Sequence, residues 1–382
     1  MPRALIVSTI GRTIEAFLLP MVHRLRATGW DVHAAASGAT GSPTLTREFD
    51  GVHDLHWQRN PADIKGILSS VNALRRLNED LRFDVIHVHT PVAAFFGRLA
   101  LRRKGSAVKQ RIIYTAHGFH FYQGQPLLPY TLYSSAERLA SKWTDYIVTM
   151  NQEDYSAACT FKNIPASRVR LIHGVGVDTA FYSQEVVEAS AVNYVRQATG
   201  ISADATVFLM IAEFIKRKRP EEVIRAFRPV AEATGAHLMM AGDGPLATHC
   251  KTLAERAGIA DRVHLLGKLD DVRPYIAASQ AVVLFSHHEG LPRSIMESLS
   301  MGTPVIGSDI RGISDLIGPE AGWLVPSGDE SALTQAMFEV IDQPSRAIQM
   351  GRSGRELMCG LYAADTVVDG YVNLYNEALG PQ

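Results

Sequence analysis

Short runs of β-branched and aromatic residues alternate with longer helical patterns along the chain, and this alternation occurs twice. The first series contains ALIVS (residues 4–8), DVIHVHT (84–90), RIIYTAH (111–117) and DYIVT (145–149). The second begins at TVFLMIAEF (206–214) and continues through HLMMAGD, RVHLLG, AVVLFS, PVIGSD and GWLVP. Strands that alternate with helices form right-handed βαβ units around a buried parallel sheet. Each series therefore predicts one doubly wound α/β domain.

The chain length also indicates two domains, because 382 residues exceed the roughly 250 to 300 at which one hydrophobic core stops growing. The joint falls best near HGVGVDTAFYS (173–183), where glycines interrupt the pattern. We predict one domain over 1–180, a second over 181–363, and a C-terminal helix over 364–382 that packs back on the first domain. Ligands of open α/β sheets bind beyond the carboxyl ends of the strands, so a cleft between two facing domains is the expected site.

The composition excludes several classes of protein. Hydrophobic residues make up 46% and charged residues 20% of the chain, as in an ordinary globular protein. Cys159, Cys250 and Cys359 lie far apart without a CxxC pair, which disfavours a disulfide framework and a structural zinc site. The N-terminus has no apolar segment long enough for a signal peptide, and no apolar run approaches the roughly 18 residues of a membrane span. These features predict a cytoplasmic protein.

Charge is unevenly distributed, although the net charge of the chain is only −1 at pH 7. Residues 1–180 contain 21 Lys and Arg against 14 Asp and Glu, a net of +7, and the remainder contains 17 against 25, a net of −8. A basic half joined to an acidic half suggests that the first half meets an anionic surface or ligand. A chance scatter of solvated charges gives the same counts and stays open.

The stretch HHEGLPRSIMESLSMG (287–302) places two glutamates eight positions apart after the strand predicted at AVVLFS. Pro292 suits the first turn of a helix, so Glu289 is expected in the loop and Glu297 within the helix. The first N–H groups of that helix lack intrahelical partners and, with the helix dipole, form an anion site. A bound phosphate could therefore have one carboxylate on each side.

Several kinds of site could use this pair. A glycosidase dyad needs two carboxyl groups about 5 to 10 Å apart across a sugar, but this pair brackets a helix start, which a hydrolase does not require. A metal site is disfavoured because His287 and His288 are adjacent rather than four apart. A role in sugar binding fits the pair better, because a carboxylate can accept hydrogen bonds from two vicinal sugar hydroxyls. On spacing alone, local pairing of Glu297 and solvation of Glu289 stay equally open.

The segment EGLPRSIMESLSMGTPVIGSD resembles the E-x7-E signature of the retaining glycosyltransferases of family 4. The resemblance extends through HVHTPVAAFFGR, YTAHGFHFYQG, NQEDY, HGVGVD, AEFIKRKRP, AGDGPL and LLGKLDDV. It implies the GT-B fold, an α/β architecture with two doubly wound Rossmann-like domains facing across a cleft. AHGFHFY and HGVGVD are most similar to bacterial enzymes that extend lipid-linked oligosaccharides for capsule, exopolysaccharide or protein glycosylation. The implied substrates are a UDP-sugar and a polyprenyl-diphosphate-linked saccharide, with no nucleic acid partner.

The resemblance also implies roles for individual residues. Glu297 matches the residue that binds the ribose hydroxyls, and Glu289 the one that binds the hydroxyls of the donor sugar. Arg217 and Lys218 match the basic pair that neutralises the departing diphosphate, whereas Glu213 stands where many relatives have an arginine. The remaining donor-binding positions are Gly11, Gly267, Lys268 and Leu269, and the backbone of Gly290, Leu291 and Arg293.

The expected mechanism follows from charge. Cleavage of the sugar–phosphate bond develops negative charge on the diphosphate, which cations and helix N–H groups stabilise selectively in the transition state. No cofactor and no divalent metal is then required. For retention, the resemblance implies front-face attack, with the leaving phosphate as the base. His117 in YTAHG matches a histidine that lies beside the donor sugar, although a lone histidine is more often structural.

Two other motifs are weaker. Gly242, Gly244 and Ala247 form G-x-G-x-x-A, but no acidic residue ends a strand about 20 residues later, so a tight strand-to-helix turn is the better interpretation. His87 and His89 share one face of a strand, yet no third ligand is near in sequence, which disfavours a metal site.

Basic residues indicate the acceptor side. Arg102, Arg103 and Lys104 end the apolar segment that begins at Pro91, and Arg12 follows Gly11 in the loop after the first strand. Basic groups gain about 1 kcal/mol each near anionic lipid, so we predict peripheral binding at the inner face of the cell membrane. Two other functions stay open: a non-hydrolysing UDP-sugar 2-epimerase and a non-catalytic nucleotide-sugar-binding protein.

Overall fold

The computed structural model describes residues 1–57, 64–102 and 110–380, and it divides into two compact units. The first unit comprises Met1–Gly176 and the C-terminal helix that begins at Ala364. The second comprises Val177–Ala363. The chain thus leaves the first unit after Gly176 and returns to it at Ala364.

The described residues of the first unit form a seven-stranded, wholly parallel sheet. The strand order is β3-β2-β1-β4-β5-β6-β7. The strands are β1 (Arg3–Ile10), β2 (Asp31–Ser37), β3 (Gly51–Asp54), β4 (Val85–His89), β5 (Arg111–Ala116), β6 (Tyr146–Thr149) and β7 (Val169–Leu171).

Helices cover both faces of this sheet. They are α1 (Gly11–Phe17), α2 (Leu19–Ala27), α3 (Pro43–Glu48), α4 (Ile64–Leu81), α5 (Pro91–Ala100), α6 (Leu127–Ala140) and α7 (Gln152–Cys159). Side chains alternate between the two faces of a strand, so Ala4 and Ile6 pack with α1, α2 and α3, while Leu5 and Val7 pack with α4, α5 and α7. Burial on both faces explains why the strands are apolar throughout rather than alternating.

The last helix of the chain is part of the core of the first unit. It spans Ala364–Leu379 and packs against α2 and β4. Tyr371 and Tyr375 are buried in the same cluster as Ile6, and the Tyr375 hydroxyl lies 3.0 Å from His87 Nδ1. The core on this face of the sheet is therefore complete only when the end of the chain is in place.

The second unit contains a six-stranded parallel sheet within the described residues, in the order β10-β9-β8-β11-β12-β13. The strands are β8 (Val207–Ile211), β9 (His237–Ala241), β10 (Val263–Gly267), β11 (Ala281–Leu284), β12 (Val305–Ser308) and β13 (Gly322–Val325). The helices are α8 (Ala189–Thr199), α9 (Pro220–Thr234), α10 (Ala247–Arg256), α11 (Arg273–Ala277), α12 (Arg293–Ser300), α13 (Ser314–Ile317), α14 (Glu330–Asp342) and α15 (Pro344–Gly360); the last helix of the chain is α16.

The order of strands reverses once in each sheet. β1 lies between β2 and β4, and β8 lies between β9 and β11. Connections from two such neighbouring strands leave in opposite directions, which opens a crevice at the carboxyl ends of the strands. In the first unit, the Thr9 backbone N–H donates to Thr90 Oγ1 at 3.0 Å across this point. In the second unit, the residues that follow β8 and β11 are the first candidates for a ligand site.

The structure also bears on the membrane and on the cysteines. Among the helices of the described residues, none is long and apolar enough to cross a bilayer. Cys159, Cys250 and Cys359 are free thiols, of which Cys250 is buried.

Candidate active site

The two segments that follow β8 and β11 lie against each other in the second unit. Lys216–Lys218 form a 3₁₀ turn after β8, and the 287–292 loop follows β11. The His287 backbone N–H donates to the Arg217 carbonyl at 2.8 Å, and Arg217 Nη1 donates to the His288 carbonyl at 2.6 Å. These hydrogen bonds hold the basic turn beside Glu289.

Glu289 is the centre of this cluster. Its residue is only 7% exposed, and its Oε1 accepts hydrogen bonds from Lys218 Nζ at 2.5 Å and from Arg217 Nη1 at 2.9 Å. Burial lowers the pKa of the Lys218 ammonium, an effect that the Glu289 charge opposes. The structure thus brings together three predicted catalytic residues, although 71 positions separate Lys218 from Glu289.

Glu297 lies on α12, as expected for the second glutamate. The helix begins at Arg293, so Pro292 is the extended residue before it rather than its first residue, a correction of one position. Pro292 has a ψ of 120°, which is outside the helical range. The backbone of Arg293, which was predicted to lie near the diphosphate, therefore starts the helix.

The Glu297 carboxylate is buried between two partners. Glu297 is 9% exposed, and its Oε1 lies 3.4 Å from Arg293 Nη2 on the preceding turn. Burial raises the pKa of its carboxyl, whereas the Arg293 charge and a hydrogen bond from the Tyr182 hydroxyl act in the opposite direction. The pKa of Tyr182 is itself raised to about 12, by burial first and by the Glu297 charge second. Sequence reasoning missed Tyr182, which no local motif connects to α12.

Gly312 supports the loop that carries Gly290 and Leu291. Its φ is +80°, and a Cβ atom built on it would lie 1.8 Å from the Gly290 carbonyl oxygen. Both Gly290 and Leu291 are half-buried. Glycine at 312 therefore sets how closely the segment after β12 approaches the Glu289 loop.

Gly312→Ala is expected to destabilise the second unit by about 1–3 kcal/mol, because the new Cβ atom combines a left-handed φ with a backbone clash. Chemical denaturation measures the change in the free energy of unfolding. Gly200→Ala is the matched control, since Gly200 lies in the same unit and has a φ of +69° but no atom within 4 Å of an added Cβ. Equal losses of stability in the two variants would show that the contact with Gly290 has no effect.

The other residues predicted to bind the donor lie at neighbouring strand ends. Gly267 ends β10 with a φ of +68°, Lys268 is exposed, and Leu269 is half-buried. The Gly267 carbonyl accepts from the Gly242 N–H at 2.7 Å, which joins the ends of β9 and β10. A Cβ on Gly242 would lie 1.8 Å from the Ala212 carbonyl oxygen, so the GDGPL segment is a close-packed connection into α10.

Three histidines are clustered at the strand ends of the first unit. His87 Nε2 lies 2.7 Å from Thr115 Oγ1, and His89 Nδ1 lies 3.1 Å from His117 Nε2. Burial lowers the pKa of His87 to about 3 and that of His117 to about 4, so both rings are neutral at pH 7. Among the described residues, no group of three or more His, Cys, Asp or Glu side chains is arranged to hold a metal ion.

The low pKa of His87 predicts that acid destabilises the protein. A histidine that titrates near 6.5 when unfolded and near 3 when folded binds fewer protons in the folded state. The contribution of His87 to the free energy of unfolding is therefore complete above about pH 6.5 and decreases as the pH falls towards 3. The free energy of unfolding should decrease by about 1–2 kcal/mol between pH 7 and pH 5. Urea denaturation at both pH values measures this, with His87→Gln as the comparison. The same pH dependence in wild type and variant would contradict the assignment.

Comparison with known sequences identifies the family. The sequence model described as "Glycosyl transferases group 1" matches residues 193–357, and the one described as "Glycosyltransferase Family 4" matches residues 14–181. EpsD of Bacillus subtilis (strain 168), which is named as a glycosyltransferase, is 30% identical over 370 residues, which are 96% of this chain and 94% of that protein. The chain belongs to glycosyltransferase family 4.

Two further proteins resemble this family 4 glycosyltransferase. The UDP-Gal:alpha-D-GlcNAc-diphosphoundecaprenol alpha-1,3-galactosyltransferase of Escherichia coli is 24% identical over 324 residues, covering 83% of this chain and 82% of that protein. The crystal structure of Anabaena HepE in complex with UDP has a TM-score of 0.80 at 17% identity, covering 98% of this chain and all of that one. The latter likeness, together with the two parallel sheets, confirms the predicted GT-B fold.

The structure corrects the prediction for the start of the glycosyltransferase chain. We expected Gly11 and Arg12 in a loop after the first strand, but β1 continues to Ile10 and α1 begins directly at Gly11. Gly11 is buried, and a Cβ on it would lie 3.1 Å from Leu45 and 3.4 Å from the Ala39 Cα. Close packing therefore accounts for this glycine, whereas Arg12 is exposed.

The predicted acceptor-side cations are only partly visible. Arg102 is exposed just after α5, and Arg103 and Lys104 lie outside the described residues of the glycosyltransferase. Sequence reasoning also missed Arg311, which is buried after β12 with Nη2 3.4 Å from His288 Nε2. A cation after a strand end was the available signal for Arg311, but it did not distinguish this residue from other arginines.

Proposed function

We propose that this glycosyltransferase moves a sugar, with retention of configuration, from a UDP-sugar to a polyprenyl-diphosphate-linked saccharide in surface polysaccharide synthesis. The observation that carries the proposal is the cluster of Glu289, Arg217 and Lys218 beside the start of α12. This cluster offers cations for a diphosphate and a carboxylate for sugar hydroxyls. The names of the similar proteins support the choice, since one acts on a diphosphoundecaprenol-linked sugar and another binds UDP.

In the proposed reaction, Arg217, Lys218 and the N–H groups at the start of α12 stabilise the leaving diphosphate. The bond between the anomeric carbon and the β-phosphate oxygen breaks, and the electron pair stays on that oxygen. Because the protein supplies positive charge at this position, the transition state gains more than the ground state. A divalent metal has no required part in this scheme.

Retention is proposed to follow from attack on the face from which the diphosphate leaves. The acceptor hydroxyl forms the new bond to the anomeric carbon, and its proton moves to the departing phosphate oxygen. Glu289 would bind hydroxyls of the donor sugar, and Glu297 those of the ribose. His117 would support the charge that develops beside the sugar.

The acceptor is proposed to be presented at the cytoplasmic face of a membrane. A polyprenyl chain is held in a bilayer, so an enzyme without a spanning segment in its described residues must approach the lipid surface. The net charge of +7 over residues 1–180 and the exposed Arg102 favour an anionic surface.

The direct test is UDP release from UDP-glucose, UDP-galactose, UDP-GlcNAc and UDP-GalNAc, with and without a polyprenyl-diphosphate-linked saccharide. We expect fast release of UDP from one donor only when the acceptor is present, an axial product linkage by NMR, and unchanged rates in EDTA. Interconversion of UDP-sugars without acceptor would contradict the proposal in favour of an epimerase. Binding of UDP-sugars without turnover, with every acceptor tested, would contradict it in favour of a sensor.

A further inference from the structure

Helix α6 has an exposed apolar stripe that the fold of the first unit does not use. Leu128, Leu132 and Leu139 are exposed by 81%, 65% and 45%, and their spacing places them on one face of the helix. Leu127, at the start of the helix, is also 81% exposed. The opposite side of α6 faces the core, since Ser134 is buried and Tyr130 packs against the core of the first unit. We call Leu128, Leu132 and Leu139 the α6 apolar stripe.

The charges around the stripe favour one kind of partner. The only carboxylate of α6, Glu137, is turned inward, where it accepts hydrogen bonds from Arg98 Nη2 at 2.8 Å and from the Tyr114 hydroxyl at 3.2 Å. Arg138 and Lys142 are exposed at the end of the helix. An exposed surface that combines leucines with cations and has no outward carboxylate on the helix suits the headgroup region of an anionic bilayer.

We propose that the α6 apolar stripe inserts into the interface of an anionic membrane and holds the enzyme there. This inference rests on the proposed function, because a lipid-linked acceptor requires contact with a bilayer. The stripe lies on α6, whereas the predicted basic cluster follows α5 in the sequence. Leu128, Leu132 and Leu139 are grouped on one helix face rather than scattered singly, and exposed apolar residues that form a group can mark an interaction site.

Flotation with vesicles of phosphatidylcholine containing about one-third phosphatidylglycerol tests this surface. The double variant Leu128→Gln, Leu132→Gln should lower the vesicle-bound fraction roughly tenfold, since two inserted leucines are replaced by polar groups. Ile348→Gln, at a 57% exposed position on α15, is the control and should bind as the wild type does. Melting curves establish that each variant is folded.

The outcomes separate this inference from the proposed function. If the double variant floats less than the wild type but releases UDP at the same rate with a detergent-soluble acceptor, the result supports the proposed membrane-binding role of the α6 apolar stripe. If the double variant floats with the vesicles as the wild type does, the proposed membrane-binding role of the α6 apolar stripe is wrong. The proposed transferase reaction is not affected by that result. Loss of self-association in the double variant, measured by sedimentation, without loss of flotation would assign the leucines to a contact between two copies instead.

A different observation concerns His89, which contacts the side chain of His117. His89 is fully buried, its Nδ1 lies 3.1 Å from His117 Nε2, and its Nε2 has no hydrogen-bond partner among the described residues. His87 does not compete for His117, because its ring nitrogens lie within hydrogen-bond distance of Tyr375 and Thr115. The hydrogen bond between His89 and His117 can form in only two ways while both rings are neutral.

The two arrangements differ in what they leave unpaired. If His117 donates through Nε2–H, the proton of His89 must sit on its own Nε2, as a buried N–H without an acceptor. If His89 donates through Nδ1–H, its Nε2 is an acceptor without a donor, which is less costly than an orphaned N–H. We infer that His89 donates and fixes His117 as the tautomer with its proton on Nδ1. His89 is then a positioning residue, and His117 offers an N–H donor rather than a base.

Nitrogen-15 NMR of histidine-labelled protein tests the tautomer, with the His117 signal assigned by its absence in His117→Gln. The wild type should show a protonated Nδ1 on His117, and His89→Leu should show a mixture of tautomers and a kcat roughly tenfold lower. His89→Asn retains a donor near the position of Nδ1 and should restore both. A protonated Nε2 on wild-type His117 overturns the inference, and this result does not depend on the folding of any variant. If the enzyme is active but His117 does not have the expected tautomer, the inference about His89 is wrong and the proposed function is not contradicted.

Discussion

Lys218→Ala is expected to lower kcat by about 10²–10³-fold, with a smaller change in the KM for the donor. Removal of one preorganised charge aimed at a developing anion has an effect of this size in other enzymes. Lys218 is mostly buried and lies 2.5 Å from Glu289 Oε1, so its ammonium is fixed rather than mobile. The Arg217 side chain is more exposed, at 41%, and Arg217→Ala should therefore have a weaker effect. Steady-state kinetics with saturating acceptor measure both values.

Lys251→Ala provides the control, because Lys251 is an exposed lysine on α10 of the same unit. Its kcat should equal that of the wild type. A second comparison, Lys218→Arg, keeps the charge but not the compact ammonium, and should recover part of the rate. If Lys218→Ala retained the wild-type kcat, Lys218 would have no part in stabilising the leaving group.

The second large effect is expected on donor binding. Glu297→Ala should raise the KM for the donor by about 10–100-fold with a smaller change in kcat, because the proposed hydrogen bonds from the ribose hydroxyls to this buried carboxylate would be lost. Tyr182→Phe should give a smaller rise, since the Tyr182 hydroxyl only orients the Glu297 carboxylate. Initial rates over a range of UDP-sugar concentrations measure these constants.

Glu255→Ala is the matched control for charge, because Glu255 is exposed on α10. Isothermal titration with UDP separates the ribose from the sugar: Glu297→Ala should weaken UDP binding, whereas Glu289→Ala should leave it closer to the wild-type value. Unchanged UDP affinity in Glu297→Ala would remove Glu297 from the ribose site.

The fold could be predicted from sequence because each sheet is specified locally. The run ALIVS lies within β1 and TVFLMIAEF contains β8, so the hydrophobic pattern alone located both first strands. Parallel strands buried on both faces must be apolar throughout, and this makes them recognisable without knowledge of their neighbours. Gly11 was misplaced because a glycine after a strand suggests a loop, whereas its close packing against Leu45 and Ala39 depends on residues distant in the sequence.

The site was predictable in its members but not in its connections. The family resemblance selected Glu289, Arg217 and Lys218 one by one, and their roles stay predictions. That Glu289 accepts from both cations depends on the pairing of β8 with β11, which no local pattern specifies. The contact between Tyr182 and Glu297 likewise joins residues 115 positions apart, as their numbering in the sequence shows. Contacts of this kind follow from topology, and topology is the part that periodicity leaves open.

The return of the chain to the first unit has a consequence for biosynthesis. The second unit is an insertion whose two ends meet, since Val177 and Ala363 form a parallel bridge and the Val177 N–H donates to the Tyr362 carbonyl at 2.9 Å. During translation its residues are complete as soon as Ala363 leaves the ribosome. Most of the first unit is synthesised earlier, but its core is complete only after Tyr371 and Tyr375 have been synthesised. The second unit can therefore finish folding before the first, because helix α16, which completes the core over one face of the first sheet, follows Ala363 in the sequence.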